Sequence, residues 1–159
     1  MGPPPEEEEA PEEPAPPLEG TFQYHSGATY EGQYILYTPE LEEGAPPPEE
    51  EIPPTKMRQG KGKFVDGDYS YEGDFEMDEF HGQGIFKYAS GAVYEGAWEH
   101  NKYCGQGKYT WPNGTWYDGA WQENKMHGAG LYKDTEGHEW RGEYENGAGP
   151  GLVNQLVQL

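Results

Sequence analysis

The chain has 159 residues, among them 24 glycines, 15 prolines, 13 tyrosines and 5 tryptophans, and its formal charge is −20, from 30 acidic and 10 basic residues. An acid excess of this size repels nucleic acid and anionic lipid over most of a surface, which removes nucleic acid from the expected partners and disfavours a membrane. A single cysteine, Cys104, excludes a disulfide within the chain, and no apolar run reaches the roughly 18 residues of a spanning helix.

Residues 1–17 read MGPPPEEEEAPEEPAPP. Proline removes backbone donors and the clustered glutamates repel one another, so 1–19 is expected to be a solvated acidic tail that builds no core. It is the opposite of a signal peptide, and Glu6 breaks the myristoylation pattern. Residues 20–34, GTFQYHSGATYEGQY, form a first repeat. Phe22, Tyr24, Ser26, Gly27, Tyr30, Glu31 and Gly32 recur 64 residues later as Phe86, Tyr88, Ser90, Gly91, Tyr94, Glu95 and Gly96. Residues 35–59 interrupt the pattern with an acidic, Pro-rich insertion, expected to leave from a turn on one face.

Residues 60–147 are a continuous array. Gly73, Gly96, Gly119 and Gly142 stand 23 residues apart, a spacing that marks a repeat architecture. Within a unit the pattern alternates with period two: Tyr94, Gly96 and Trp98 share one face, Glu95 and Ala97 the other, which is strand periodicity. Asp66-Gly67, Ser90-Gly91, Asn113-Gly114 and Glu136-Gly137 signal tight hairpin turns, because these residues tolerate positive φ. The alternate connections, 76–81, 99–104 and 122–127, read as longer polar turns. The predicted fold is all-β: an elongated, single-layer antiparallel meander of about five repeats, two strands per 23-residue unit. In 148–159, apolar Leu152, Val153, Leu156 and Val157 predict one or two helical turns, either capping the array or touching another chain, a second copy included.

Stacked units align their rings in ladders: Tyr71, Tyr94, Tyr117, Trp140; Phe75, Trp98, Trp121, Tyr144; Phe64, Phe86, Tyr109, Tyr132. The glycines beside them leave room for a neighbouring ring to lie flat over the strand. One sheet offers no second layer to cover such a face, and exposed apolar surface marks a binding site. The candidate partner-binding residues are therefore Tyr71, Phe75, Tyr94, Trp98, Tyr117, Trp121 and Trp140, with Leu152 and Leu156 in the tail.

Other groupings fail on spacing. His81, Cys104 and His127 occupy equivalent positions, which in a meander lie two strands, or about 9.5 Å, apart; zinc ligands sit about 2 Å from one ion. Glu72, Glu95 and Asp118 share that spacing and read as a solvated face rather than an acid/base pair. Gly60-Lys61-Gly62-Lys63 lacks the spacing of a phosphate cradle. The Asn113-Gly114-Thr115 sequon is expected to be unused. No catalytic residue, cofactor or metal is expected.

The pattern Tyr-Glu-Gly-x-Trp, a turn, then His-Gly-x-Gly-x-Tyr, carried by Tyr94-Glu95-Gly96-Ala97-Trp98 and by His127-Gly128-Ala129-Gly130-Leu131-Tyr132, resembles the MORN-repeat family. The resemblance implies a non-enzymatic scaffold in a multi-subunit complex, as in radial spokes and other axonemal assemblies of cilia and flagella, hence a cytoplasmic, cytoskeletal location. Other members of the family place membranes in contact, or carry the repeats beside enzymes, which leaves a phospholipid-binding, vesicle-trafficking or enzyme-regulating module as the alternative. Lys61, Lys63, Lys87, Lys108 and Lys133 would serve the lipid reading.

Overall fold

The computed structural model describes residues 16–39 and 52–147, and the backbone of 153–154. Its strands are β1 (Leu18–Gln23), β2 (Thr29–Tyr37), β3 (Thr55–Asp66), β4 (Tyr69–Glu76), β5 (Glu79–Lys87), β6 (Val93–Glu99), β7 (Lys102–Thr110), β8 (Trp116–Gln122), β9 (Lys125–Lys133), β10 (Glu139–Tyr144) and the short β11 (Val153–Asn154). They form one open sheet whose spatial order is the sequence order, as the period-two alternation and 23-residue spacing predict.

Register follows the glycines. Gly32 faces Gly62, Gly73 faces Gly84, Gly96 faces Gly107 and Gly119 faces Gly130. A Cβ on Gly96 would lie 2.4 Å from the Cα of Gly107, so no side chain fits between these strands. Immediately after each of these pairs the register slips. In three units the extra residues sit around Gly82, Gly105 and Gly128, whose φ of 58°, 54° and 72° belong to the left-handed region that a glycine bulge needs.

The β3–β4 hairpin closes tightly after Asp66, as expected, but the other turns reverse the expected lengths. The connections read as long and polar close on two residues, Met77-Asp78, His100-Asn101 and Glu123-Asn124, both with positive φ in every case. This is the mirror-image turn whose twist matches that of the strands. The residues that made these segments look long belong to the bulges. By contrast, Ser90-Gly91 and Asn113-Gly114 sit in five-residue loops closed by Tyr88 N to Ala92 O and Trp111 N to Thr115 O, both 2.9 Å.

The tight turns also zip to one another. Asn101 accepts from Phe80 N through Oδ1 at 2.8 Å and donates its own N–H to Phe80 O at 3.1 Å. Asn124 makes the same pair with Tyr103, and Asp78 with Arg58. Neighbouring repeats are thus joined along one rim by backbone bonds that the sheet ladder does not supply.

Both ends of the 35–59 segment enter the sheet: Ile35, Leu36 and Tyr37 pair with Met57, Lys56 and Thr55. At the C-terminus, Val153 and Asn154 pair as a strand with Arg141 and Trp140, not as a helical turn. Two residues added to the β10 edge satisfy backbone groups that an eight-residue helix packed on nothing would not.

Candidate protein-binding face

Tyr30, Tyr71, Tyr94 and Tyr117 each lie flat over the glycine pair that their own strand makes with the next. A Cβ on Gly84 or Gly107 would fall 2.3 Å from the hydroxyl of Tyr71 or Tyr94. That hydroxyl donates to the carbonyl three residues along, where the register slips: Tyr71 to Asp74 O at 2.8 Å, Tyr94 to Ala97 O at 2.9 Å, Tyr117 to Ala120 O at 3.0 Å, and Tyr30 to Gln33 O. The ring fills the space the glycines leave and its hydroxyl ties down the bulge. Burial raises the pKa of all four phenols, to about 12 for Tyr30 and Tyr117.

A second level of rings covers the first. Phe80 stacks on Tyr71 at 4.0 Å between centroids and Tyr103 on Tyr94 at 3.8 Å. Between units the rings meet edge to face in an unbroken chain, Tyr30–Phe75–Tyr71–Trp98–Tyr94–Trp121–Tyr117–Tyr144, with centroid distances from 4.7 to 5.5 Å. Such pairs contribute about 0.5–1.5 kcal/mol each beyond area burial. Trp98 and Trp121 add a buried bond back to the preceding hairpin, from Nε1 to the carbonyls of Gly84 (3.1 Å) and Gly107 (2.9 Å).

The single sheet therefore supplies its own second layer, made of rings. This corrects the expectation that the named rings lie bare in water. Tyr71, Tyr94 and Tyr117 are 0% exposed, Phe75 2%, Trp98 4% and Trp121 7%. They are the core. Trp140 is half-buried, its Nε1 donating to Asp134 Oδ2 at 3.0 Å, which holds that carboxyl below its usual range. Leu152 and Leu156 lie outside the described residues.

The outer level is what solvent reaches. Phe64, Phe86, Tyr88, Tyr109, Trp111 and Tyr132 pack against the core yet stay half-buried, and from Phe86 to Tyr132 they form a continuous row across the hairpins. Phe86 touches Tyr88 at 4.5 Å, Tyr88 meets Tyr109 at 6.1 Å, Tyr109 meets Trp111 at 4.8 Å, and Trp111 reaches Tyr132 at 6.0 Å. Sequence reading placed four of these in a ladder but did not choose them as contacts, because alternation gives the face of a residue and not its depth.

The opposite face is charged. The register lays Glu31, Lys63, Glu72, Ile85, Glu95, Lys108, Asp118, Leu131 and Arg141 side by side in one row. Two open grooves, of about 840 and 520 Å³, run along the glycines of this face. The carboxylates Glu72, Glu95 and Asp118 are exposed, as a solvated row should be. Lysines alternate with acids: Lys61 pairs with Asp74, and Lys63 stands 4.0 Å from Glu72. Asp74 has its pKa lowered, since the bonds from Lys61 and the Gln83 N–H outweigh the opposing effect of its partial burial.

His81 and His100 face acids at the tight-turn rim, with His81 Nε2 3.1 Å from Glu76 and His100 Nδ1 2.7 Å from Glu79. Burial raises the Cys104 thiol pKa. His81, Cys104 and His127 fall on successive hairpins, apart from one another.

These features recur with each 23-residue unit, and the family model for the MORN repeat matches residues 71–93, 94–116 and 117–139. Residues 71–139 are three MORN repeats. The preceding β2–β3 hairpin carries the same glycine pair and flat tyrosine, in Tyr30, Gly32 and Gly62. MORN repeats are non-catalytic modules that hold proteins or lipids. No curated protein gives a significant match to the chain.

Proposed function

We propose that this chain is a non-enzymatic adaptor whose MORN repeats hold a segment of a partner protein against the outer ring row, within a ciliary or flagellar axonemal assembly. The observation that carries the binding reading is the row itself: half-exposed rings running from Phe86 to Tyr132 across a ring-roofed sheet. Apolar surface of this continuity is what a soluble protein keeps for contact. The lipid alternative draws less support, because the lysines it needs alternate with carboxylates on the opposite face. The axonemal setting follows from the resemblance to scaffolding members of the family. The stretch Gly137-His138-Glu139-Trp140-Arg141-Gly142 before an apolar tail is similar to the small MORN repeat-containing protein 2.

Fractionation of ciliated cells or sperm tests it. The chain should stay with axonemes after detergent removes the membrane and be released by a ring-row variant such as Trp111→Ala. Recovery of the intact chain wholly in the detergent-soluble fraction contradicts the axonemal assignment.

A further inference from the structure

Near the N-terminal end of the sheet, rings of this face already hold cations, and the chain supplies them itself. Lys56 Nζ lies 4.9 Å from the centroid of Phe22 and 5.4 Å from that of Tyr34. The Arg58 guanidinium lies 5.1 Å from Phe64 and 5.0 Å from Phe75, its Nε bonded to Asp78 Oδ1 at 2.9 Å. Both residues come from β3, and Arg58 stands in the register position that Phe80 and Tyr103 hold in later hairpins. An arginine replaces an aromatic residue there, and the neighbouring rings accept it.

Farther along, the rings remain and the cations stop. Among the described residues no lysine or arginine is seated on Tyr88, Tyr109, Trp111 or Tyr132. The chain has no others to offer, because every lysine and arginine in the sequence lies within the described residues. The register assigns Lys61, Lys63, Lys87, Lys108, Lys133 and Arg141 to the charged face. The ring face is bordered by acids instead: Asp66 and Asp68 flank the hairpin of exposed Tyr69, whose ring is 6.5 Å from Tyr88, and Asp134 and Glu136 follow Tyr132.

We infer that the row Tyr88–Tyr109–Trp111–Tyr132 takes the lysine or arginine side chains of a basic partner segment, in the manner in which Phe22, Tyr34, Phe64 and Phe75 take Lys56 and Arg58. The inference rests on the reading of this row as the protein-binding face and adds the chemistry of the occupant. Charge complementarity selects it: electron-rich ring faces attract cations, more strongly where partly desolvated. A chain of charge −20 also draws a basic segment in from a distance. Apolar residues between the basic ones would cover Phe86 and the ring edges.

The test uses the full chain and a short acetylated, amidated peptide alternating arginine and leucine. Its counterpart carries citrulline, which keeps the shape and loses the charge. Binding is read by calorimetry and by the indole N–H resonances of Trp111, on the ring face, and Trp116, on the charged face. The arginine peptide should bind about tenfold more tightly than the citrulline peptide and shift Trp111 while leaving Trp116 in place. The folded Tyr109→Leu/Trp111→Leu variant should lose most of that preference. Equal affinity for both peptides, each shifting Trp111, overturns the cation inference and leaves the ring face standing as a binding surface. An arginine preference undiminished in the variant, or a shift at Trp116 alone, shows that acids elsewhere hold the peptide and overturns both. If the double variant fails to fold, the wild-type resonances and Tyr88→Leu decide on the same terms.

Discussion

The ring of Tyr94 occupies the space that a Cβ on Gly107 would need: that atom would fall 2.3 Å from the phenol oxygen and 2.6 Å from Cζ. Gly107→Ala must therefore move the tyrosine off the strand or separate the strands. The expected cost is about 1–3 kcal/mol, the range of an overpacked core. Tyr94→Phe, which keeps the ring and removes only the bond to Ala97 O, should cost about 1 kcal/mol. Denaturant midpoints of the two variants check the order.

Trp98 and Trp121 differ from Phe75, the equivalent residue of the first of these three units, by a buried N–H that donates to the preceding hairpin. Trp121→Phe keeps most of the packing and orphans the Gly107 carbonyl. A loss of about 1–3 kcal/mol is expected. Amide exchange should speed up first between β7 and β8, whose junction that bond spans.

The rim of tight turns gives a separable test. Asn124→Gly keeps the positive φ and removes the side-chain acceptor for Tyr103 N; Asn124→Ala loses both. Alanine should cost about 1–2 kcal/mol more than glycine, because a left-handed conformation penalises a Cβ. Thermal unfolding of the two variants measures the difference.

Alkaline pH probes the buried phenols. Their folded pKa values lie above the ordinary value of 10, at about 12 for Tyr30 and Tyr117. The folded state thus keeps protons that the unfolded state releases. The contribution is fully present below pH 10, and stability falls as pH rises from about 10 towards 12. Phenolate absorbance should show the buried set, Tyr30 and Tyr117 among them, released only on unfolding.

How far the sequence spoke depends on what each residue reports. The phase of Gly73, Gly96 and Gly119 and the alternation of Tyr94, Gly96 and Trp98 set the strands, faces and repeat, since both follow from pleat geometry. Depth was not legible. Tyr94 and Tyr109 alternate identically, yet one is sealed under Tyr103 and the other is half-open, and only three-dimensional stacking separates them. Turn length was misread because His100-Asn101 and Glu123-Asn124 lack glycine but still adopt positive φ, held by bonds to the neighbouring hairpin. Those long-range partners leave no local signal. The apolar spacing after Leu152 suggested a helix, whereas the open β10 edge recruits Val153 and Asn154 as strand.

A photo-reactive amino acid placed at Trp111 on the ring face, and in a parallel experiment at Glu95 on the charged face, locates the partner most directly. In the native complex the Trp111 position should give a mapped crosslink to a basic segment of a partner protein, and the Glu95 position none. Crosslinking from Glu95 with none from Trp111, in a folded chain, would contradict the account.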